Sequence, residues 1–135
     1  MTMRKILFRG KRKDVDWWEV GDYSACTTSD GAHHSFINGT GYEVYPETVG
    51  QYTGLNDVNG TMIFEGDIVQ LFESVKETFG IIDSFGVVRF MRGGFYVNEA
   101  DCLYSLNTLA SYDWIFRGKV VGNIYDNPEL LEGGN

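Results

Sequence analysis

The chain has little of what marks a secreted, zinc-binding or membrane protein. Its 135 residues include only two cysteines, Cys26 and Cys102, which stand far apart and outside any C-x-x-C pair. This spacing indicates neither a disulfide framework nor a zinc ribbon. No apolar stretch approaches the roughly 18–20 residues that a membrane-spanning helix needs. With no recognisable signal peptide, these features predict a protein of a reducing cytoplasm, where thiols stay free.

Proline is also scarce, with 2 residues, whereas glycine contributes 17. Apolar residues make up 43% of the chain and aromatic residues 15%, which argues against disorder and favours a sheet-rich protein with many tight turns. A globule of this size buries roughly 65–70% of the surface that its unfolded chain exposes, so one core is possible. We therefore expect a single domain over residues 1–135 that is mostly β, compact and strongly twisted like a barrel, with one short α-helix.

Positive charge is missing from a long part of the chain. No Lys or Arg occurs between Asp14 and Val75, and the net charge is −8. The cations that precede this stretch form one basic segment: Arg4, Lys5, Arg9, Lys11, Arg12 and Lys13. The favoured interpretation is that this segment pairs with the acidic body of its own fold or of a neighbour. The alternative is a phosphate-binding arm, since clustered Lys and Arg are typical of nucleic-acid binding.

Apolar runs divided by turn residues predict the strands. An opening strand is expected over Met3–Arg9 and another over Val15–Val20. Residues 21–41 are rich in Ser, Thr, Asp, Asn and Gly, and are interpreted as an irregular insert, an extended loop or hairpin with Asp30-Gly31 and Asn38-Gly39 at its turns. Leucines spaced by three predict the single short helix within Glu99–Leu109.

The central segment, Gln51–Phe72, combines two apolar runs with specific turn chemistry. Asn59-Gly60 predicts a reversal that needs positive φ, and Glu65-Gly66-Asp67 predicts a second tight turn into a strand. A Gly-Asp step before a β-branched run also recurs in small SH3-like barrels. Together the two turns favour a barrel-like fold.

Three segments resemble the YopX family of small proteins encoded by bacteriophages and prophages. They are R-K-I-L-F-R-G-K at 4–11, Q-Y-T-G-L-x-D-x-N-G with E-G-D-I at 51–69, and V-V-G-N-I-Y-D-N-P-E-L-L at 120–131. The matched motif positions, to which we give structural roles, are Gln51, Tyr52, Gly54, Asp57, Asn59, Gly60, Glu65, Gly66, Asp67, Gly122, Asn123, Tyr125, Asn127 and Pro128. The resemblance implies a mostly β fold, a phage or prophage origin and residence in the bacterial cytoplasm. It supplies no catalytic residue.

Three carboxylates of the central segment are candidates for a metal site. Asp57, Glu65 and Asp67 lie within eleven residues, as a Mg²⁺-dependent nuclease would need. Turn carboxylates, however, routinely accept backbone N–H bonds, and this interpretation is preferred. His33 and His34 could ligate a transition metal, but adjacent histidines on a strand point to opposite faces and no other ligand has suitable spacing. They are therefore expected on a loop surface. We predict no metal, no cofactor and no catalytic residue.

The carboxy-terminal polar group, Asn123 to Pro128, is interpreted as a strand end closed by an Asx-type turn, with Tyr125 packed on the core. The alternative makes Leu130 and Leu131 an anchor in a neighbouring subunit. The leading functional hypothesis is a non-enzymatic module that binds another macromolecule, with a protein as the expected partner and self-association possible. The alternatives are a nucleic-acid-associated protein that uses the basic segment and a carboxylate-dependent metal hydrolase.

Overall fold

The computed structural model describes residues 5–39, 41–70, 85–99, 102–106 and 119–132. The chain forms two compact units, Met1–Gly54 and Leu55–Asn135. The single domain predicted from the sequence stays a prediction. No helix of the described residues is long and apolar enough to cross a membrane.

The first unit is built from short antiparallel strands. Its elements are β1 Phe8–Lys11, β2 Trp18–Gly21, β3 Tyr23–Thr27, β4 His33–Ile37, β5 Glu43–Val44, a 3-10 helix at Pro46–Thr48, and β6 Gly50–Asn56, which continues into the second unit. Strand β1 pairs with both β2 and β6, and the sheet to which these three belong is curled into half a barrel. Strands β3, β4 and β5 form a separate sheet in that order.

The core of the first unit depends on a close approach of strand β1. Ile37 and Val44 are fully buried, and Tyr52 is nearly so. A Cβ atom at Gly10 would lie 2.8 Å from Cγ2 of Val44, which is closer than real Cβ contacts come. Only glycine therefore lets β1 cross this position.

The second unit is dominated by one antiparallel sheet. Its elements are β7 Met62–Phe64, β8 Asp67–Gln70, β9 Phe85–Met91, β10 Gly94–Glu99, β11 Cys102–Ser105, β12 Lys119–Asn123 and the short helix α1 Glu129–Glu132. Five strands pair in the order β11-β10-β9-β8-β12. Ile63, Val69, Val88, Val97 and Leu106 form a buried hydrophobic cluster.

The predicted fold class, mostly β with one short helix, is confirmed. The SH3-like character stays a prediction. The helix predicted at Glu99–Leu109 is wrong over Cys102–Ser105, which is strand β11, paired with β10. Leu106 is helical, and residues 107–109 lie outside the described residues. A short helix that was not predicted lies at Glu129–Glu132. The opening strand also begins later than predicted, at Phe8.

The predicted turns are present. Gly60 has φ of 81° and Gly66 has φ of 92°. A further turn, not among these predictions, joins β9 to β10 with φ of 52° at Arg92 and 78° at Gly93. Residues 21–41 contain the predicted hairpin, with positive φ at Gly31, Asn38 and Gly39, although its strands β3 and β4 are more regular than an extended loop. His33 and His34 consequently lie on β4 and not on a loop, which corrects that prediction.

Candidate protein-binding surface

The basic segment lies along strand β1 and the turn that follows it. Arg4 lies outside the described residues, and Lys5 is exposed. The guanidinium carbon of Arg9 is 4.8 Å from the centre of the Trp18 ring, and Nζ of Lys11 is 6.0 Å from the same ring. Residues two apart on a strand share a face, so Arg9 and Lys11 both reach the indole across the β1–β2 pair.

The next three cations are paired with carboxylates of their own unit. Lys11 Nζ lies 2.9 Å from Asp16 Oδ1, and Lys13 Nζ lies 3.0 Å from Glu43 Oε2. The Arg12 guanidinium donates through Nε and Nη2 to the two oxygens of Asp14, at 2.9 and 2.7 Å, and through Nη1 to Glu19 at 3.2 Å. The prediction that the basic segment pairs with its own acidic body is confirmed for these residues.

Two tyrosine rings flank the same cations. The Arg12 guanidinium carbon is 4.5 Å from the centre of the Tyr42 ring, and Lys13 Nζ is 6.0 Å from that of Tyr45. The rings stay open to solvent, with 39% of Tyr42, 41% of Tyr45 and 61% of Trp17 exposed. We call Arg12, Lys13, Trp17, Tyr42 and Tyr45 the aromatic–cation surface.

Backbone hydrogen bonds hold this surface together. Arg12 forms an isolated bridge with Val44, and the N–H of Lys13 donates to the Glu43 carbonyl at 3.0 Å. The N–H of Tyr45 donates to the Lys11 carbonyl at 2.8 Å. The Arg12 N–H donates to the Trp17 carbonyl at 2.9 Å. The carboxy-terminal end of β1 and the two residues after it are thus bonded both to the segment that carries the tyrosines and to the turn that carries Trp17.

A groove lies beside the surface. Its volume is 420 Å³, and its lining residues are Lys13, Asp14, Phe36, Gly41 and Glu43. It therefore offers one cation, two carboxylates and part of an aromatic ring to a partner group.

Sequence reasoning missed Tyr42 and Tyr45 as neighbours of the cations. The available signal was weak: two tyrosines flanking a short strand in a cation-free segment.

The charges of this region shift one another's titration. The hydrogen bonds from Arg12 lower the pKa of Asp14, and the same contacts raise the pKa of Arg12. The pKa of Glu43 is also lowered, first by its hydrogen bond with Nδ1 of His34 at 2.8 Å and then by the hydrogen bond from Lys13. Both carboxylates therefore stay ionised at a lower pH than unpaired carboxylates would.

The motif at the start of the central segment joins strand β6 to the amino-terminal strand. Gln51 pairs with Phe8, and the N–H of Tyr52 donates to the Leu7 carbonyl at 2.8 Å. Gly54 has φ of 89° with nothing near a Cβ position, so glycine is needed there for backbone conformation alone.

Asp57 organises the turn that contains Asn59 and Gly60. Its Oδ1 accepts the N–H groups of Asn59 and Thr61, each at 2.9 Å, and its Oδ2 accepts the N–H of Val120 at 2.8 Å. The side chain thus closes its own turn and also binds strand β12. The predicted turn role of Asp57 is confirmed.

The turn at Glu65-Gly66-Asp67 is also closed by a carboxylate that accepts a backbone N–H. Gly66 has φ of 92° and donates its N–H to the Val88 carbonyl at 2.7 Å, while the carboxylate of Asp67 accepts the Phe64 N–H at 2.7 Å. Asp67 is 1% exposed, whereas Glu65 is half-buried. The structure therefore does not gather the three carboxylates into one cluster, and the described residues contain no group of three His, Cys, Asp or Glu able to hold a metal ion.

The carboxy-terminal motif forms the predicted Asx-type turn. Asn123 Oδ1 accepts the N–H groups of Tyr125 and Asp126, and the Asn123 N–H donates to Oδ1 of Asn127 at 3.2 Å. A Cβ atom added at Gly122 would lie 2.5 Å from Oδ1 of Asn127, so the Asn127 side chain occupies that space. The exposed Pro128 directly precedes helix α1.

The prediction that Tyr125 packs on the core is wrong. The ring is 37% exposed and lines a small surface cavity of 130 Å³ together with Glu65 and Phe90. The Asx-type turn explains the difference, because the hydrogen bonds of Asn123 fix the backbone beyond β12 and carry the next residues away from the core.

The remaining candidate groups do not converge. His33 Nδ1 bonds the Thr27 hydroxyl at 2.9 Å, and His34 bonds Glu43. Cys26 is a free and exposed thiol, and the side chain of Cys102 lies outside the described residues.

Comparisons with known proteins agree with the motifs. The chain matches the family model described as YopX protein over residues 7–132. A similar solved structure is the crystal structure of protein EF1440 from Enterococcus faecalis, with 23% sequence identity and a TM-score of 0.57, covering 96% of this chain and 99% of that one. At this identity the likeness shows the fold alone. No curated protein matches the chain.

Proposed function

The chain belongs to the YopX family, and from that premise we propose that it is a non-enzymatic binding module of phage or prophage origin. It acts in the bacterial cytoplasm by binding a protein partner through the aromatic–cation surface. The observation that carries this proposal is the pairing of Arg12 and Lys13 with carboxylates of their own unit, beside two tyrosine rings that remain exposed. The exposed Trp17 lies in the turn whose backbone bonds Arg12.

The ion pairs support a protein partner over a nucleic acid. Affinity for nucleic acid comes mainly from Lys and Arg that neutralise phosphates and release counterions. A cation held by Asp14, Asp16 or Glu43 must first leave that carboxylate, and the carboxylate itself repels phosphate. Lys11, Arg12 and Lys13 are therefore much less available to phosphate than their place in a basic segment indicates.

The exposed rings support contact with protein. Tyr, Trp and Arg are enriched at the energetic centres of protein interfaces, because they supply large contact area together with polar tips. Tyr42 and Tyr45 are held beside cations, and their backbone is tied to β1. A preorganised surface loses less conformational entropy when it binds.

The carboxylates of the second unit support the absence of catalysis. Asp57 has both oxygens engaged by backbone N–H groups, and Asp67 is buried with a backbone partner. Carboxylates used in this way stabilise turns and are not open to a metal ion or a substrate.

The experiment is an affinity capture from infected or lysogenic cells with tagged variants. Parent protein is compared with Trp17→Ala and Tyr42→Ala, and with Phe90→Ala as the matched control, because Phe90 is an exposed aromatic residue of the second unit. We expect one protein partner to be captured by parent and Phe90→Ala and lost from the first two variants. The capture should survive nuclease treatment.

Two results would contradict the proposal. Equal capture by all variants would place any partner elsewhere on the protein. A capture that nuclease abolishes, and that falls steeply as salt rises, would favour the nucleic-acid alternative.

A further inference from the structure

Two ion pairs at the aromatic–cation surface and beside it turn their carboxylates toward solvent. In the pair of Lys11 with Asp16, the lysine side chain is 24% exposed and the aspartate side chain 90%. In the bidentate pair of Arg12 with Asp14, the corresponding exposures are 19% and 59%. A molecule that approaches these pairs therefore meets carboxylate oxygens first, although the segment is basic in sequence.

The groove beside the surface has the same balance of charge. Of its five lining residues, Asp14 and Glu43 are carboxylates and only Lys13 is a cation. The bonds of Lys13 and His34 with Glu43 both end on Oε2, and Oε1 has no hydrogen-bond partner among the described residues. The groove thus keeps a carboxylate oxygen that can accept a further hydrogen bond.

The exposed rings favour the same kind of partner group. Tyr42 and Tyr45 already lie beside cations of their own chain, and both rings remain partly exposed, as does Trp17. The faces of Tyr and Trp rings attract the side chains of Lys and Arg. The rings and the outward carboxylates together therefore complement guanidinium and ammonium groups.

We propose that the protein partner binds this surface through a basic segment, whose arginine or lysine side chains bind Asp14, Asp16 and Glu43 and pack against the exposed rings. This inference rests on the proposed function and names the chemistry of its partner. Long-range electrostatics act in the same direction, because a chain of net charge −8 attracts a basic partner and repels an acidic one.

The first test measures the binding of a defined basic probe. The probe is a labelled peptide of alternating arginine and serine, and a peptide of alternating glutamate and serine of the same length is its acidic counterpart. The surface variant is Asp14→Asn, Asp16→Asn. The control variant is Asp22→Asn, Glu129→Gln, which removes the same charge from two exposed carboxylates outside the surface.

Fluorescence anisotropy at low salt should show that the surface variant binds the arginine peptide about tenfold more weakly than the parent, because two charged contacts are lost. The control variant should bind it nearly as tightly as the parent. Equal effects of the two variants would mean that the probe responds to net charge alone, and would overturn the proposal. So would an arginine peptide that binds no more tightly than the glutamate peptide.

The second test separates this inference from the proposed function. In the affinity capture, the partner should be lost from the surface variant and retained by the control variant, and added salt should release it after nuclease treatment. A partner that Trp17→Ala and Tyr42→Ala lose, but that the surface variant retains, would overturn the basic segment and leave the proposed function intact. A partner that Trp17→Ala and Tyr42→Ala retain would contradict the proposed function, and this inference with it.

Discussion

Carboxylates serve different purposes in the two units. In the second unit, Asp57 and Asp67 are 5% and 1% exposed and accept hydrogen bonds from backbone N–H groups. In the first unit, Asp14 and Glu43 lie at the surface and bind cationic side chains. A buried N–H that loses its acceptor has no water to replace it, whereas a surface ion pair is readily replaced by solvent. The first set therefore stabilises the fold, and the second mainly arranges the side chains of the aromatic–cation surface.

Removing Asp57 should have the largest effect. Asp57→Ala removes the acceptor of three part-buried backbone N–H groups, including the Val120 N–H that ties the turn to β12, so we expect the free energy of unfolding to fall by about 3 kcal/mol. Asp14→Ala is the matched surface control and should change stability much less. Urea unfolding measures both. Equal losses would remove the distinction between the two sets.

Replacing Gly60 should have the next largest effect. The residue has φ of 81° with no atom within 4 Å of a Cβ position, so the expected loss for Gly60→Val is a backbone effect of more than about 1 kcal/mol. Gly60→Asn is the control, because Asn tolerates this region better. If the valine variant melts at the same temperature as the parent, the turn does not need glycine.

The turns could be predicted because their chemistry is local. Asn59-Gly60 and the Asx-type turn at Asn123 are encoded by residues that bond or bend within a few positions, and each appears as expected. The predicted helix is wrong over residues 102–105 for the opposite reason. Residues 102–105 pair with β10, and this non-local ladder overrides a weak local leucine spacing.

The candidate surface could be predicted only in part. Asp14 and Asp16 follow the basic segment directly, so pairing within the segment's neighbourhood was accessible from the sequence. The partners Tyr42 and Glu43 come from thirty residues away, through the bridge between Arg12 and Val44. No local pattern encodes that bridge, so the rings beside the cations became visible only in the fold.

Acid should reduce the stability that the surface carboxylate of Glu43 contributes. The folded-state pKa of Glu43 lies below its ordinary value of 4.5, so the ionised carboxylate contributes stability above that pH, and the contribution is lost as pH falls through the folded pKa. His34→Leu removes the larger cause and should raise the pKa of Glu43, so the loss becomes smaller. NMR titration of the Glu43 carboxyl carbon measures this directly.

His33→Leu is the control for that titration, because His33 bonds Thr27 and not Glu43. It should leave the Glu43 titration unchanged. An identical shift in both histidine variants would mean that His34 does not act through its hydrogen bond.

Divalent metal ions should not bind the buried carboxylates Asp57 and Asp67. Because a ligand stabilises a protein only by binding its folded state preferentially, Mg²⁺, Mn²⁺ and Ca²⁺ should leave the thermal midpoint unchanged. Asp67→Asn should be mild, since the amide oxygen can still accept the Phe64 N–H. Calorimetric titration with Mn²⁺ beside a nuclease assay decides the matter. Micromolar binding that disappears in Asp67→Asn would restore the metal-hydrolase alternative.

The central claim is that the cations of the first unit arrange the protein's own surface and do not bind nucleic acid. DNA binding measured across a salt series tests this claim most directly. The parent is compared with a double Arg12→Gln, Lys13→Gln variant and with Arg89→Gln, Arg92→Gln as the control, since both control arginines are exposed in the second unit. We expect binding no tighter than about 10⁻⁴–10⁻⁶ M at physiological salt, with no difference between the two variants. A nanomolar complex that weakens steeply with salt, and whose salt dependence falls only when Arg12 and Lys13 are neutralised, would contradict the account.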